Sequence, residues 1–167
     1  MRPLFIAGIL LLFIGVSIFF WNNQKDDQMP EDVLSISFAL NDGGNTTLKE
    51  TVSKQNQPLI VNFWATWCAP CLEELPMFES AHNRVGNEVT FLGINVSDSP
   101  TKAKKMVTDV GISYQMGRDP EGNFLVGLGI VGLPATVFID SAGTVTDVHI
   151  GQISEADLNE KISWIHK

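Results

Sequence analysis

Apolar and polar residues follow two different periods along the chain after residue 32. Period-two alternation, and short apolar runs bounded by turn residues, predict strands. These strands are expected at residues 36–40, 46–48, 59–65, 89–95, 135–139 and 144–150. The first two flank the turn residues 41–44 and the last two flank 140–143, so each pair is predicted to form a hairpin. The mostly apolar runs at 59–65 and 89–95 are typical of strands buried on both faces.

Apolar residues spaced three and four apart predict three helices. The first is expected at residues 71–84, the second has apolar positions from Ala103 to Val110, and the third begins at Ser154. Ser99 and Pro100 supply an N-cap and a first-turn proline for the second helix, and a capping-box-like pair starts the third. Strands and helices alternate first and a hairpin follows, which predicts an α/β domain with a mixed sheet covered by helices.

The first 24 residues have a different composition. No side chain from Pro3 to Gln24 is charged, and residues 4–21 form an apolar run just long enough to cross a bilayer core. A cleaved signal peptide is the alternative, but bulky residues occupy 18–21, where a cleavage site needs small ones. We therefore predict an uncleaved transmembrane anchor at 1–24, a tether at 25–32 and a folded domain at 33–167. Arg2 favours a cytoplasmic N-terminus, which puts that domain outside the cytoplasm, on a single-pass protein of the cell membrane.

The charge balance narrows the possible partners. The chain has 11 Lys and Arg against 19 Asp and Glu, for a net charge of −8. This acidic balance argues against nucleic-acid binding, which needs a basic surface to displace counterions from phosphates. Two cysteines exclude a disulfide-rich scaffold and a four-cysteine zinc site. His82, His149 and His166 have no paired spacing, so we expect no metal site.

One motif carries specific chemistry: Trp67-Cys68-Ala69-Pro70-Cys71, between a predicted buried strand and a helix. Cysteines separated by two residues can close a disulfide with little backbone movement, so the pair can cycle between dithiol and disulfide. Cys68 is expected at the helix N-terminus, where the helix dipole lowers the pKa of a thiol and makes it the attacking thiolate. Cys71, one turn further on, is expected to be shielded and to resolve the mixed disulfide. The alternatives are half of a zinc site or two inert buried cysteines.

The segment Val61 to Cys71 resembles the active-site strand and turn of thioredoxin-like proteins. Together with Glu74 and Pro76, the strand–helix unit at 89–111, the segment 132–140 and the N-terminal anchor, it is similar to the TlpA/ResA/DsbE-like group of membrane-anchored thiol-disulfide oxidoreductases. The resemblance covers the chain from residue 33 to the C-terminus. It implies a thioredoxin fold with an N-terminal β-hairpin and a strand–helix insertion.

The resemblance also implies roles for particular residues. Pro134 is expected to have a cis peptide bond and to face the cysteines, and the backbone of Leu133 to pair with an incoming peptide. Trp67, Ala69 and Pro70 are expected to form the substrate-binding surface around Cys68. Asn62 stands where cytoplasmic thioredoxins have an aspartate that acts as a base. Asn62 cannot ionise, so it cannot take that role. Glu74 is the nearest carboxylate and, by helical spacing, lies on the Cys71 side, so we predict that it takes the proton of the resolving thiol; an ordinary solvated glutamate is the alternative.

The activity implied by the resemblance is reduction of disulfides in exported proteins, apocytochrome c among them, with electrons supplied by a membrane protein. No cofactor is expected, because the dithiol itself carries two electrons. Two other functions use the same features: an oxidant that introduces disulfides, since the spacing does not fix the reduction potential, and an anchored binding domain with incidental cysteines. A peroxidase would need a Pro-x-x-x-Thr-x-x-Cys arrangement, which is absent from the sequence.

Overall fold

Residues 33–41 and 43–165 are described in the computed structural model. The predicted anchor at 1–24 and tether at 25–32 lie outside these residues. Within the described part of the chain, no helix is both long enough and apolar enough to cross a membrane.

Strands and helices alternate over most of the domain after a 3-10 turn at Val33–Ser35. The strands are β1 (Phe38–Leu40), β2 (Asn45–Thr46), β3 (Leu59–Trp64), β4 (Thr90–Val96), β5 (Gln115–Asp119), β6 (Ala135–Ile139) and β7 (Val145–Ile150). The helices are α1 (Leu48–Gln55), α2 (Ala69–Val85), α3 (Pro100–Val110), α4 (Asn123–Gly127) and α5 (Glu155–Ile165).

All the strands within the described residues join one sheet in the order β2-β1-β5-β4-β3-β6-β7. The central pairs β3/β4 and β4/β5 are parallel, and the remaining pairs are antiparallel. Parallel neighbours need a crossover, and α2 and α3 supply the two that are required. The mixed sheet and the hairpin β6/β7 confirm the architecture predicted from the sequence.

Each face of the sheet carries its own apolar core. Alternate residues of β3 point to opposite faces, so Ile60 and Trp64 pack with α2, α3 and α5, while Val61 and Phe63 pack with α1 and α4. All six residues of β3 are buried. Because β3 is covered on both faces, its C-terminal end is a fixed support for the loop that follows.

The N-terminal hairpin is shorter than predicted. Phe38 pairs with Thr46, but Thr47 and Leu48 do not continue the strand. Thr47 instead caps α1, with its hydroxyl accepting from the Glu50 backbone N–H at 3.0 Å. Threonine followed three residues later by glutamate is a capping-box signal, so this helix was visible in the sequence and was missed. Helix α2 likewise begins at Ala69, two residues before the predicted start.

Strand β5 and helix α4 were also missed. The β5 sequence, Gln115 to Asp119, has no apolar alternation, and only its pairing with β4 and β1 makes it a strand. Gly117 suits this interior position, because a Cβ there would lie 2.9 Å from Ile94 Cδ1 and 3.0 Å from Phe38 Cδ2. Helix α4 has five residues, fewer than a periodic pattern needs to be recognised.

Candidate active site

The two cysteines lie at the junction between β3 and α2: Cys68 just before the helix and Cys71 in its first turn. Cys68 is the N-cap residue of α2, and its sulfur accepts from the Cys71 backbone N–H at 3.3 Å. The two residues form a disulfide across a Cα–Cα distance of 5.3 Å. The first turn of an α-helix has unpaired N–H groups that favour negative charge, so a thiolate at Cys68 is stabilised in the reduced protein.

The two cysteines differ in their surroundings. Cys71 is fully buried, as predicted, whereas Cys68 retains 6% of its exposure. The residues on either side of Cys68 are exposed: Trp67 at 63%, together with Ala69 and Pro70. Of the two cysteines, Cys68 is therefore the one that lies nearer to solvent.

Glu74 is the buried carboxyl group of the site. Its side chain is 2% exposed, which excludes the alternative of an ordinary solvated glutamate. Burial raises the pKa of Glu74 to about 7, although hydrogen bonds from the Ile153 backbone N–H and the Asn62 side chain lower it in part. A carboxyl group with this pKa both accepts and releases a proton near neutral pH. The neighbouring Glu73 is exposed and accepts a hydrogen bond from Gln152.

Three separate parts of the chain hold the Glu74 carboxyl group. The Asn62 amide on β3 donates to Oε1 at 2.8 Å, and the Ile153 N–H before α5 donates to Oε2 at 3.2 Å. Glu74 lies one helical turn beyond Cys71 on α2, and residues three apart on a helix are neighbours on one face. The carboxyl group is therefore fixed in the buried part of the site, on a residue one helical turn from Cys71.

The pairing of β6 with β3 brings Leu133 and Pro134 to the edge of the sheet where the cysteine motif begins. Strand β6 runs antiparallel to β3, with Ala135 paired to Phe63, so the start of β6 lies at the end of β3. The Leu133–Pro134 peptide bond is cis, as the resemblance implied. Pro134 is buried and its carbonyl accepts from the Gly151 N–H at 2.8 Å, while Leu133 is half-buried and packs against both cores.

A further acidic residue at this edge of the sheet was missed. Asp98 follows β4 and accepts from the Thr66 backbone N–H at 2.6 Å and from the Thr66 hydroxyl at 2.8 Å. In the sequence Asp98 stood beside a helix-capping serine, and nothing local distinguished it from a loop residue. The contact joins residues 32 positions apart and depends on the parallel pairing of β3 with β4. Nowhere in the described residues are three acidic, histidine or cysteine side chains placed to hold a metal ion.

Comparisons with known proteins agree with this arrangement. Residues 27–148 match the AhpC/TSA family. The chain is 30% identical to the thiol:disulfide interchange protein DsbE of Haemophilus influenzae, covering 92% of this chain and 87% of that protein. It is 28% identical to the thiol-disulfide oxidoreductase ResA of Halalkalibacterium halodurans, with 78% and 74% covered. A solved thiol:disulfide interchange protein of Chlorobium tepidum superposes with a TM-score of 0.68 at 27% identity, covering 79% of this chain and 93% of that one.

The resemblance seen in the motif thus extends over most of the chain and over the fold. The match to DsbE includes 92% of the residues, so it does not depend on the two cysteines alone. The chain belongs to the AhpC/TSA family, in which it is a thioredoxin-like protein-disulfide oxidoreductase.

Proposed function

We propose that this oxidoreductase works outside the cytoplasm, where it reduces disulfides of exported proteins such as apocytochrome c. The observation that carries the proposal is the asymmetry of the site. Cys68 lies at a helix N-terminus among exposed residues, whereas Cys71 is fully buried and lies one helical turn before the buried Glu74. A mechanism of attack followed by resolution requires this difference: an accessible cysteine that attacks the substrate and a shielded cysteine that resolves the mixed disulfide.

In the first step the Cys68 thiolate attacks one sulfur of the substrate disulfide. A mixed disulfide forms, the substrate S–S bond breaks, and the released substrate thiolate takes a proton from water. The N-terminus of α2 stabilises the attacking thiolate through its unpaired N–H groups. Trp67, Ala69 and Pro70 form the surface that the substrate contacts, and the backbone of Leu133, just before β6, pairs with the substrate chain.

In the second step Cys71 loses its proton and attacks Cys68 Sγ. The Cys68–Cys71 disulfide forms and the second substrate thiolate leaves, so the substrate gains two electrons and the protein loses them. Glu74 accepts the Cys71 proton, because its pKa of about 7 makes it a base near neutral pH and it lies one turn further along the same helix.

Return to the dithiol requires an electron donor. We assign this role to a membrane protein, since residues 1–24 are proposed to anchor the chain in the cell membrane with its domain outside the cytoplasm. The donor passes two electrons to the Cys68–Cys71 disulfide through the same kind of exchange. The cycle uses only the two thiols and needs no cofactor.

The test is to trap the mixed disulfide in cells. A Cys71→Ser variant lacks the resolving thiol, so substrates should remain attached to Cys68 and be identified after non-reducing electrophoresis. The matched control is the Cys68→Ser, Cys71→Ser double variant, which cannot trap. Recovery of exported proteins that carry cysteine pairs is the expected result. Failure to trap any exported protein would favour an anchored binding domain.

The direction of electron flow needs a separate measurement. Equilibration of the purified protein with glutathione gives the reduction potential of the Cys68–Cys71 pair. Known dithiol proteins with this spacing differ by about 150 mV, from reductant to strong oxidant. A potential above about −150 mV would refute the reductase and support a protein that introduces disulfides.

A further inference from the structure

The two residues before Cys68 are held by the loop after β4. The Asp98 carboxylate accepts both the backbone N–H and the hydroxyl of Thr66, at 2.6 Å and 2.8 Å. The Trp67 indole N–H donates to the Ser97 carbonyl oxygen at 3.2 Å. Each residue of the pair 66–67 therefore has its own partner in the pair 97–98.

Asp98 is itself fixed from several directions. Its carboxylate also accepts from the Asn95 side-chain amide at 3.1 Å and from the Ser99 N–H at 2.7 Å, and the Arg118 guanidinium donates to its backbone carbonyl at 3.3 Å. Burial raises the pKa of Asp98, but the hydrogen bonds that its carboxylate accepts from Thr66, Asn95 and Ser99 outweigh burial and keep the pKa below its ordinary value. The carboxylate is ionised at neutral pH, which strengthens its bonds to Thr66.

Ser97, which accepts the hydrogen bond from the Trp67 indole, is also fixed in its conformation. Ser97 has a φ of +48°, a left-handed conformation that is uncommon for a residue other than glycine. Its N–H donates to the Asp119 carbonyl at 3.0 Å, which ties the loop to the end of β5. Trp67 is 63% exposed, so packing in the core does not hold the ring. The ring is held by its hydrogen bond to Ser97, and the preceding residue, Thr66, is held by Asp98.

We propose that Asp98 is a positioning residue for substrate recognition: through Thr66 it holds the exposed Trp67 indole in the orientation that a protein disulfide meets beside Cys68. The inference rests on the proposed function, because it assumes that proteins are the substrates. A large aromatic ring held rigid at a surface binds a partner at a low cost in conformational entropy. A small disulfide reagent needs only the thiolate and does not use that surface.

The test compares two substrates with the full-length chain. Insulin, with dithiothreitol as the recycling reductant, measures KM and kcat for a protein disulfide, and 2-hydroxyethyl disulfide measures the reactivity of Cys68 itself. For Asp98→Ala we expect a KM for insulin about tenfold higher, the loss that follows when an aromatic anchor is no longer held. The rate with 2-hydroxyethyl disulfide should stay within about twofold, because the first turn of α2 is unchanged.

Three further variants and one control show whether the effect passes through Trp67. Asp98→Asn keeps one oxygen for Thr66, so its KM should fall between the wild-type and Asp98→Ala values. In a double-mutant cycle, Trp67→Ala should raise KM to a similar extent and Asp98→Ala should add little to it. Asp109→Ala removes an exposed carboxylate that pairs with Lys105 on α3, and both substrates should react as with wild type.

The outcomes separate the inference from the proposed function. A wild-type protein that reduces neither substrate overturns both. A wild-type protein that reduces both, with an Asp98→Ala variant that loses activity equally on insulin and on the small disulfide, overturns the positioning role alone. If Asp98→Ala does not fold, an Asp98→Asn KM equal to that of wild type has the same consequence.

Discussion

The raised pKa of Glu74 has a direct effect on stability, which the Glu74→Gln variant isolates. The folded protein holds the Glu74 proton more tightly than the unfolded chain does, since its pKa is about 7 when folded against an ordinary value of 4.5. The stabilisation from the neutral carboxyl group is complete below pH 4.5 and is lost as the pH rises to about 7. Glutamine does not ionise, so the variant lacks this dependence.

The size of the effect follows from the difference between the two pKa values. From 4.5 to about 7 is a difference of about 2.5, and each pKa unit corresponds to about 1.4 kcal/mol. Wild type should therefore lose about 3 kcal/mol relative to Glu74→Gln over this pH range. The variant can keep both contacts: its carbonyl oxygen accepts from the Ile153 N–H, and the Asn62 amide can rotate so that its oxygen accepts from the glutamine N–H.

The measurement is urea denaturation of both proteins in the disulfide form, at half-unit intervals from pH 4 to pH 8, followed by tryptophan fluorescence. The quantity of interest is the free energy of unfolding of wild type minus that of the variant, because all other titrating groups cancel. This difference should fall with a slope that approaches about 1.4 kcal/mol per pH unit midway between the two pKa values, and it should flatten as the pH rises above 7. A difference that is constant across the range would refute the reasoning, because it would mean that burial leaves the Glu74 pKa unchanged.

Three more predictions concern the support of the site, each checked by urea denaturation. Gly117→Ala should destabilise the protein by about 1–3 kcal/mol, because the added Cβ meets Ile94, Phe38 and the Ala39 carbonyl oxygen; wild-type stability would show that β5 can shift. Asp119→Ala removes the buried acceptor of the Leu125 N–H and should cost about 1–3 kcal/mol; a smaller loss would argue that water reaches this N–H. Phe78→Ala should cost about 3–5 kcal/mol, whereas the exposed Val126→Ala should change stability by less than about 0.5; equal losses would contradict the core assigned to α2.

Much of the fold could be predicted because its signals are local. The apolar run at 59–65 and the spacing of Leu72, Leu75 and Phe78 gave β3 and most of α2. Strand β5 could not be predicted in this way, because Gln115 to Asp119 carry no apolar pattern. Their strand conformation comes from hydrogen bonding to β4 and β1 on either side.

The candidate site divides along the same line. The Cys68 and Cys71 pair, its place at a helix N-terminus and the helical spacing of Glu74 all depend on residues within a turn or two of one another, so the sequence alone determined them. The burial and the hydrogen bonds of Glu74 did not follow, because they arise from packing between distant segments: Ile153, which donates to its carboxyl group, is 79 positions away. The contact of Asp98 with Thr66 could not be predicted for the same reason, since the two residues lie 32 positions apart. Spacing along a chain determines which groups share a helical turn. Their pKa and orientation depend on solvent exclusion and on hydrogen bonding between distant segments. Both conditions arise only when the sheet and its helices pack together.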